Sequence, residues 1–544
     1  MKLPRPIRTS LLIIVLHLTL LAGGCASPDR WTAFDNLYFS ETPEGEDRTD
    51  PIELPEKVQP QLIEEPASTF PAEGLTDLSI EQATMLVLKN NRDLHVRQLN
   101  PVIAGTFEQI ERGVYDPEVF AELESAEERT NETSRSTGTQ FSVQGNDTSA
   151  VTGIRQELPT GTMVEATVEQ ERSISNRSPE QQEARLGLSI TQSLLQGFGP
   201  AVNLARVRQA QLGTVASIYE LRGFTEALLA ETERAYWNFV LANKEIEIFE
   251  QSLAVAKRQR DEVELRIEVG ILPEIEAAAA RAEVARREQL LIEAHSVLEE
   301  RRLRLLRLIN LPPDGRLDLM IKAGSSPDFT PESIADLPER VRLAEKMRPD
   351  VNEARLRLQQ NRLETIVTRN GLLPRLDFFI ALGQTGFADT FSESFRELDG
   401  NTYDFSLGLR LSHFLGNRAA EGRDLAARAS RQQSIDALEN LQQLVRLDVR
   451  LAVNEVERAR KQISASRITR ILEEETLQAE KERFDVGSST ALLVAQAQRD
   501  LLVSLIAEVK AVVSYRIALV NLYLTEGSLL ERRGVVIGDR SLNY

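Results

Sequence analysis

Gly197-Phe198-Gly199-Pro200 opens a run that continues with almost no helix breaker to a short turn, Gly270-Ile271-Leu272-Pro273, and then returns helically to Asn310. The chain uses the same plan again. A long run leaves Asn417, turns at Val486-Gly487-Ser488-Ser489-Thr490 and returns to Gly527. At about 1.5 Å per residue, a helix of roughly 70 residues reaches on the order of 100 Å. An ordinary globular core has no use for helices of that length, so these must span something.

The landmarks on either side repeat as well. Leu78-Ser79-Ile80-Glu81-Gln82-Ala83 opens a helix with Ser79 as N-cap and Gln82 three residues on, as in a capping box. This helix is expected to run to about Gly113, and Arg348-Pro349-Asp350-Val351 opens its counterpart, ending near Gly371. Asp93 to Asp350 and Pro117 to Pro374 are both 257 positions apart, whereas Leu186 to Leu407 is 221 and Gly270 to Gly487 is 217. An internal duplication explains this, with 36 additional residues in the middle of the first copy. Those residues, rich in Ser, Thr, Asn and Gly, are read either as surface loops or as an extended hairpin.

Between the opening helices and the long hairpins the period changes from helix to strand. In Tyr403-Asp404-Phe405-Ser406-Leu407-Gly408-Leu409-Arg410-Leu411-Ser412 every odd position is apolar and every even one small, polar or charged. The first copy shows the alternation at Val164 to Glu169 and Leu186 to Thr191, and Leu376 to Leu382 alternates less cleanly. Strict alternation over ten residues marks a strand with one apolar and one polar face, at a length that suits a bilayer.

The N-terminus reads as a targeting signal. Lys2, Arg5 and Arg8 precede the apolar run Leu11 to Leu21, and Ala22-Gly23-Gly24 leads to the only cysteine, Cys25. The stretch resembles the lipobox of bacterial lipoproteins, which implies lipidation of Cys25, with Ala26 and Ser27 matching outer-membrane sorting. Residues 25–77 form an acidic, Pro-rich tether, expected to be extended. Past residue 24 no apolar run approaches the roughly 20 residues of a membrane helix. A protein held in a bilayer without one is lipid-anchored, a closed barrel, or both, since open strand edges cannot sit in lipid. One hairpin per repeat gives four strands per chain, too few to close a barrel, so the barrel is expected to be shared between chains.

Composition favours long helices and coiled coils over a thick globular core and excludes several alternatives. Only 5% of residues are aromatic and 27% are charged, with a formal charge of −19. Removing the three basic residues of the signal makes it −22, which argues against a nucleic-acid surface. The histidines are scattered singly and no HExxH, CxxC, GxSxG or phosphate-loop pattern is present. No catalytic residue, cofactor or metal site is read.

On these residues, with Thr191 to Gly199 at the strand-to-helix junction and Phe484-Asp485-Val486-Gly487 with Ala497-Gln498 beyond the turn, the chain resembles the TolC-like outer-membrane efflux protein family over nearly all of residues 78–526. The resemblance implies a mainly α trimer in which twelve strands close one β-barrel and long helices form an α-barrel tunnel through the periplasm. The partners it implies are two further copies, a periplasmic adaptor, an inner-membrane transporter and outer-membrane lipid. The implied location is the outer membrane of a Gram-negative-type bacterium, and the implied role is passive conduction of exported small molecules or proteins, in efflux or type I secretion. The alternative is an adaptor-like or scaffold lipoprotein without a pore.

The expected organisation is a signal at 1–24, the tether, an opening helix at 78–116, strands at 117–192, a helical hairpin at 193–310 and a connector at 311–338. A second opening helix at 339–373, strands at 374–412, a hairpin at 413–526 and a tail at 527–544 follow. The two turns are expected to form the periplasmic tip. Gly270 and Gly487 supply positive φ and Pro273 starts the return helix; Phe484, Val486 and Ser488 complete the docking surface. Many family members carry an acid six places after the second glycine, where this chain has Leu493; Glu276 and Glu274 in the first copy are the candidate entrance charges.

Overall fold

The computed structural model describes residues 77–312, 317–327, 336–399 and 401–535. The signal, Cys25, the tether short of Asp77 and the tail beyond residue 535 lie outside the described residues.

Each repeat begins with a broken helix. In the first, α1 (Ile80–Asn90) starts at the expected capping box: Ser79 Oγ accepts the Gln82 amide at 3.2 Å and the Ser79 amide donates to Gln82 Oε1 at 3.0 Å. The expected single helix to Gly113 is divided, because Asn91 leaves the helical region (φ −67°, ψ 116°) and caps α2 (Arg92–Gly113) by accepting the Leu94 amide at 3.0 Å. Its amide group also donates to the Leu308 carbonyl at 3.1 Å, which ties the break to the end of the first hairpin. The second copy breaks likewise at Arg348 (φ −59°, ψ 127°), between α6 (Leu337–Met347) and α7 (Pro349–Asn370). Here the following proline disfavours helical geometry at Arg348.

After the one-turn helix α3 (Pro200–Asn203) come the long hairpins: α4 (Ala205–Glu268) with α5 (Ile275–Ile309), and α9 (Arg418–Asp485) with α10 (Ala491–Glu526). With 64 and 68 residues, α4 and α9 are each about 100 Å long. Each return helix has about half that length. The rest of α4 packs on α2 and α7, and α9 packs on α7 in turn. The seam on α9 read from intervals of three and four is the buried one. Leu438, Val445, Val449 and Val456 are buried, and Ile435, Leu441 and Val453 pack beside them.

Within the first repeat, Tyr236 and Trp237 of α4 sit in a core with Leu86, Leu94, Leu305 and Ile309. The Tyr236 hydroxyl donates to the Leu78 carbonyl at 2.8 Å and accepts the Ser325 amide at 3.0 Å. It thereby anchors the parallel pair β1 (Asp77–Leu78) and β6 (Lys322–Ala323).

The sheet differs from the expected four strands. The first repeat supplies β2 (Glu118–Thr133), β3 (Gln140–Leu158), β4 (Thr162–Ser175) and β5 (Gln181–Ser193). The second supplies β7 (Arg375–Ala388) and, after the one-turn helix α8 (Phe391–Arg396), β8 (Tyr403–Ser412). All six form one antiparallel sheet in the order β2-β3-β4-β5-β7-β8. The additional residues of the first copy are thus an extended hairpin, β3–β4. Ser, Thr, Ala and Gly recur on both faces of β3, so hydrophobic alternation is too weak there to announce it, whereas the alternating stretch Val164 to Glu169 falls in β4 as expected.

The pairing register gives the sheet two distinct faces. One row runs straight across all six strands as Val119, Ile154, Ala166, Leu188, Leu382 and Phe405. On the opposite face Arg155 holds Glu118 through two bonds of 2.7 and 3.0 Å, and Arg185 bridges Glu169 and Asp404 at 3.2 and 3.0 Å. Large side chains of the apolar face are exposed in the isolated chain, among them Leu407, Leu409 and Leu411.

One buried acid on α4 is set apart. Burial pushes the Glu226 carboxyl up to about 7; Arg222 opposes this at 3.3 Å, and Glu531 adds to it. The folded chain therefore binds more protons than the unfolded chain between pH 4.5 and 7, and this group's contribution to stability declines as pH rises through that window. Glu226→Gln is expected to match the parent chain at pH 4 and to exceed it above pH 7, by about 3 kcal/mol at most. Thermal unfolding at the two pH values measures this; an equal shift at both contradicts it.

Candidate functional site

The two hairpin turns lie at the far end of the helices from the sheet and are built alike. At the end of α4, Gly270 takes φ 77°; its amide donates to the Ile267 carbonyl at 2.9 Å and the Ile271 amide to the Arg266 carbonyl at 2.8 Å. At the end of α9, Gly487 also takes φ 77°; its amide donates to the Phe484 carbonyl at 3.1 Å and the Ser488 amide to the Arg483 carbonyl at 2.8 Å. Both are Schellman motifs, with glycine at the left-handed position. Ser488 reinforces the second, its hydroxyl donating to the Arg483 carbonyl at 3.1 Å.

The return helices start differently. Thr490 caps α10, accepting the Leu493 amide at 3.4 Å. Pro273, expected at the first helical position, instead stands two residues ahead of α5, and its carbonyl accepts the Glu276 amide at 3.1 Å. The intervening Glu274 already has right-handed helical geometry and serves as the N-cap residue without a side-chain bond.

A small apolar core joins the two turns: Val263, Ala280, Leu477, Phe484, Ala491 and Val494. Two polar contacts cross between them. Arg266 donates to Asp485 at 2.7 Å and to Glu262 at 2.5 Å, with its guanidinium 5.0 Å from the centre of the Phe484 ring. The hydrogen bond it donates to Asp485 holds that guanidinium still further into its charged range. Glu276 Oε2 accepts the Ala491 amide at 3.1 Å, so a first-turn acid of one return helix sits at the positive end of the other.

The residues expected at the tip are thus together, with different duties. Phe484, only 5% exposed, belongs to the tip's interior, while Val486 is 80% exposed. The outward apolar set also includes Ile271 at 69% and Ile275 at 78%, neither of them singled out from the sequence. Arg266 and Asp485 were missed too. The only sequence signal is that an arginine stands four residues before each turn glycine, at Arg266 and Arg483. In the second copy Arg483 stays on its own helix, paired with Glu480 at 3.3 Å.

Residues 341–528, the second repeat with its tip, match the sequence model of a family described as outer membrane efflux protein. Among curated proteins, the chain is similar to outer membrane protein OprJ of Pseudomonas aeruginosa, 25% identical over 407 residues that cover 72% of this chain and 78% of that one. Among solved structures it shares its fold with the outer-membrane channel OprN (TM-score 0.62, 18% identity, 88% of this chain and 98% of that chain). It is also similar in fold to the CmeC outer membrane channel of Campylobacter jejuni (TM-score 0.60, 17% identity, 88% and 94%).

The left-handed geometry of the turn glycines makes a specific demand on substitution. Gly270→Ala and Gly487→Ala are each expected to weaken the tip by about 1 kcal/mol, and Asn at either position by less, because Asn tolerates this region better. Amide exchange across residues 263–276 and 480–494 reads the difference. Ala and Asn variants exchanging equally fast would contradict it.

Proposed function

We propose that the chain is one third of an outer-membrane channel-tunnel. Three copies pool their sheets into a barrel and their long hairpins into a conduit that passively carries exported molecules from an inner-membrane pump. The observation that carries this reading is the union, in one chain, of a sheet with an exposed apolar face and two helical hairpins about 100 Å long. The sheet face suits lipid, and the helices suit a conduit across the periplasm. No helix of the described residues is long and apolar enough to cross a membrane, so the bilayer contact falls to the strands. A pore-free adaptor or scaffold lipoprotein has no use for that face.

In this reading Cys25 carries the lipid anchor and the tip receives the periplasmic adaptor. Gly270, Pro273, Gly487 and Ser488 shape the docking surface, and Ile271, Ile275 and Val486 offer it apolar contact. Phe484 supports that surface from inside. Glu276, with Glu274 beside it, supplies the entrance charge, which three chains repeat around the axis.

Reconstitution of the purified protein into a planar bilayer tests the pore directly. Discrete conductance steps are expected, and a protein that associates with the bilayer without conducting contradicts the reading. Glu276→Gln keeps an oxygen to accept the Ala491 amide while removing the charge. It is expected to reduce cation selectivity on the order of two-fold, as for any ring of like charge at a constriction. Unchanged selectivity removes Glu276 from the entrance.

A further inference from the structure

The sheet has two free edges, β2 and β8, and the hairpin β3–β4 changes what is needed to close it. The offset between the repeats falls from 257 at Pro117/Pro374 to 221 at Leu186/Leu407, a drop of 36, and Gln140–Ser175, which holds β3 and β4, is 36 residues long. In the duplication β2 therefore corresponds to β7 and β5 to β8. The hairpin β3–β4 is an insertion between β2 and β5, which would otherwise be neighbours. The inserted strands are part of the wall. β2 pairs with β3 from Glu118↔Arg155 to Thr133↔Gln140, and β4 with β5 from Thr162↔Gln192 to Ser173↔Gln181.

Resting on the trimeric reading above, we infer that three copies close a barrel of eighteen strands, by pairing the β2 edge of one chain with the β8 edge of the next. Three features fit these edges to each other. An inserted hairpin adds two strands, so the alternation of direction survives: β2 leaves a helix, β8 runs into one, and neighbouring edges lie antiparallel. The apolar faces also meet at one level. Val119 and Leu123 stand at the helical end of β2, as Leu409 and Leu411 stand at the helical end of β8, and all four are exposed in the single chain. The third feature is width. Beside the sheet each chain presents four helices packed in the series α2, α4, α7, α9, and at about 9.5 Å apiece they occupy roughly 38 Å. Six strands about 4.8 Å apart, tilted by about 40°, occupy roughly the same 38 Å, whereas four would occupy about 25 Å. The inserted hairpin lets the barrel wall meet the helical wall without a taper.

Since barrel diameter grows about linearly with strand number, eighteen strands give a lumen about half as wide again as twelve, in the range that leaves an open aqueous channel. The polar row of the first copy, with Arg155, Glu165 and Arg185, lines much of that lumen.

Electron cryo-microscopy of the full-length protein in lipid nanodiscs counts the strands. Eighteen around a three-fold axis is the expected result. Twelve in the wall, with residues 140–175 folded out of it, overturns the inference and leaves the tunnel reading intact. A particle without three-fold symmetry overturns both. Deleting residues 140–175 gives a second measurement: if trimers form, their barrel circumference is expected to fall to about two-thirds of the parent's. A deletion trimer with an unchanged barrel overturns the inference, and a deletion that does not fold leaves the decision with the strand count of the full chain.

Discussion

A backbone amide in the hydrocarbon of a bilayer has no water to bond, and every other feature of this protein follows from that constraint. The six-stranded sheet satisfies its interior strands and leaves two rows of unpaired groups, along β2 and β8. Its row Val119-Ile154-Ala166-Leu188-Leu382-Phe405 suits lipid on one face, and the ion pairs of Arg155 and Arg185 suit water on the other. Such a sheet has no stable existence in a membrane until its edges are covered, and the simplest cover is another copy of itself. Oligomerisation here is a requirement of hydrogen bonding before it is a matter of affinity.

In the proposed trimer the helices inherit their arrangement from the same closure. Helices spaced around a ring must pack sideways on two neighbours rather than around a central core. This is why α4 and α9 carry narrow seams of Val, Leu and Ala along great length. The return helices are half as long, so α2 and α7 complete the wall at the membrane end. The junctions are pinned by single polar residues: Asn91 bonds to Leu308, and Tyr236 to the backbone of Leu78 and Ser325. At the other end the turns need only glycine at φ 77° and a small shared core, and only a few cross-turn polar contacts hold them, led by Arg266 with Asp485 and Glu276 with the Ala491 amide. A surface ion pair of this kind contributes modestly, about 1 kcal/mol or less. In the proposed assembly this makes the tip the part that a docking partner would rearrange at least cost.

Much of this was legible in the sequence because it depends on local pattern. Tyr403–Ser412 alternates without a fault and is strand β8; Gly270 and Gly487 mark their turns; Ser79 and Gln82 make their capping box. The failures have physical causes. Asn91 reads as an ordinary helix residue, and only its bond to Leu308, 217 positions away, shows why the helix breaks there. Strand β3 has small residues on both faces, so no period betrays it, whereas Val164 to Glu169 of β4 does alternate; the drop in the repeat offset gave the length of the pair. Arg266 and Asp485 lie 219 positions apart, and nothing local distinguishes that pair from dozens of other charges on helix surfaces. Phe484 looked like a docking residue because it stands beside the turn, whereas its ring faces inward to fill the tip.

In the proposed trimer this chain is incomplete alone, and its sheet edges are satisfied by copies of itself. Light scattering on the detergent-extracted protein, corrected for bound detergent, tests this most directly. A single species with the mass of three chains, unchanged on dilution, is the predicted result. A stable monomer extracted from the membrane with its sheet intact would mean that the edges are satisfied in some other way, and the account would be wrong at its foundation.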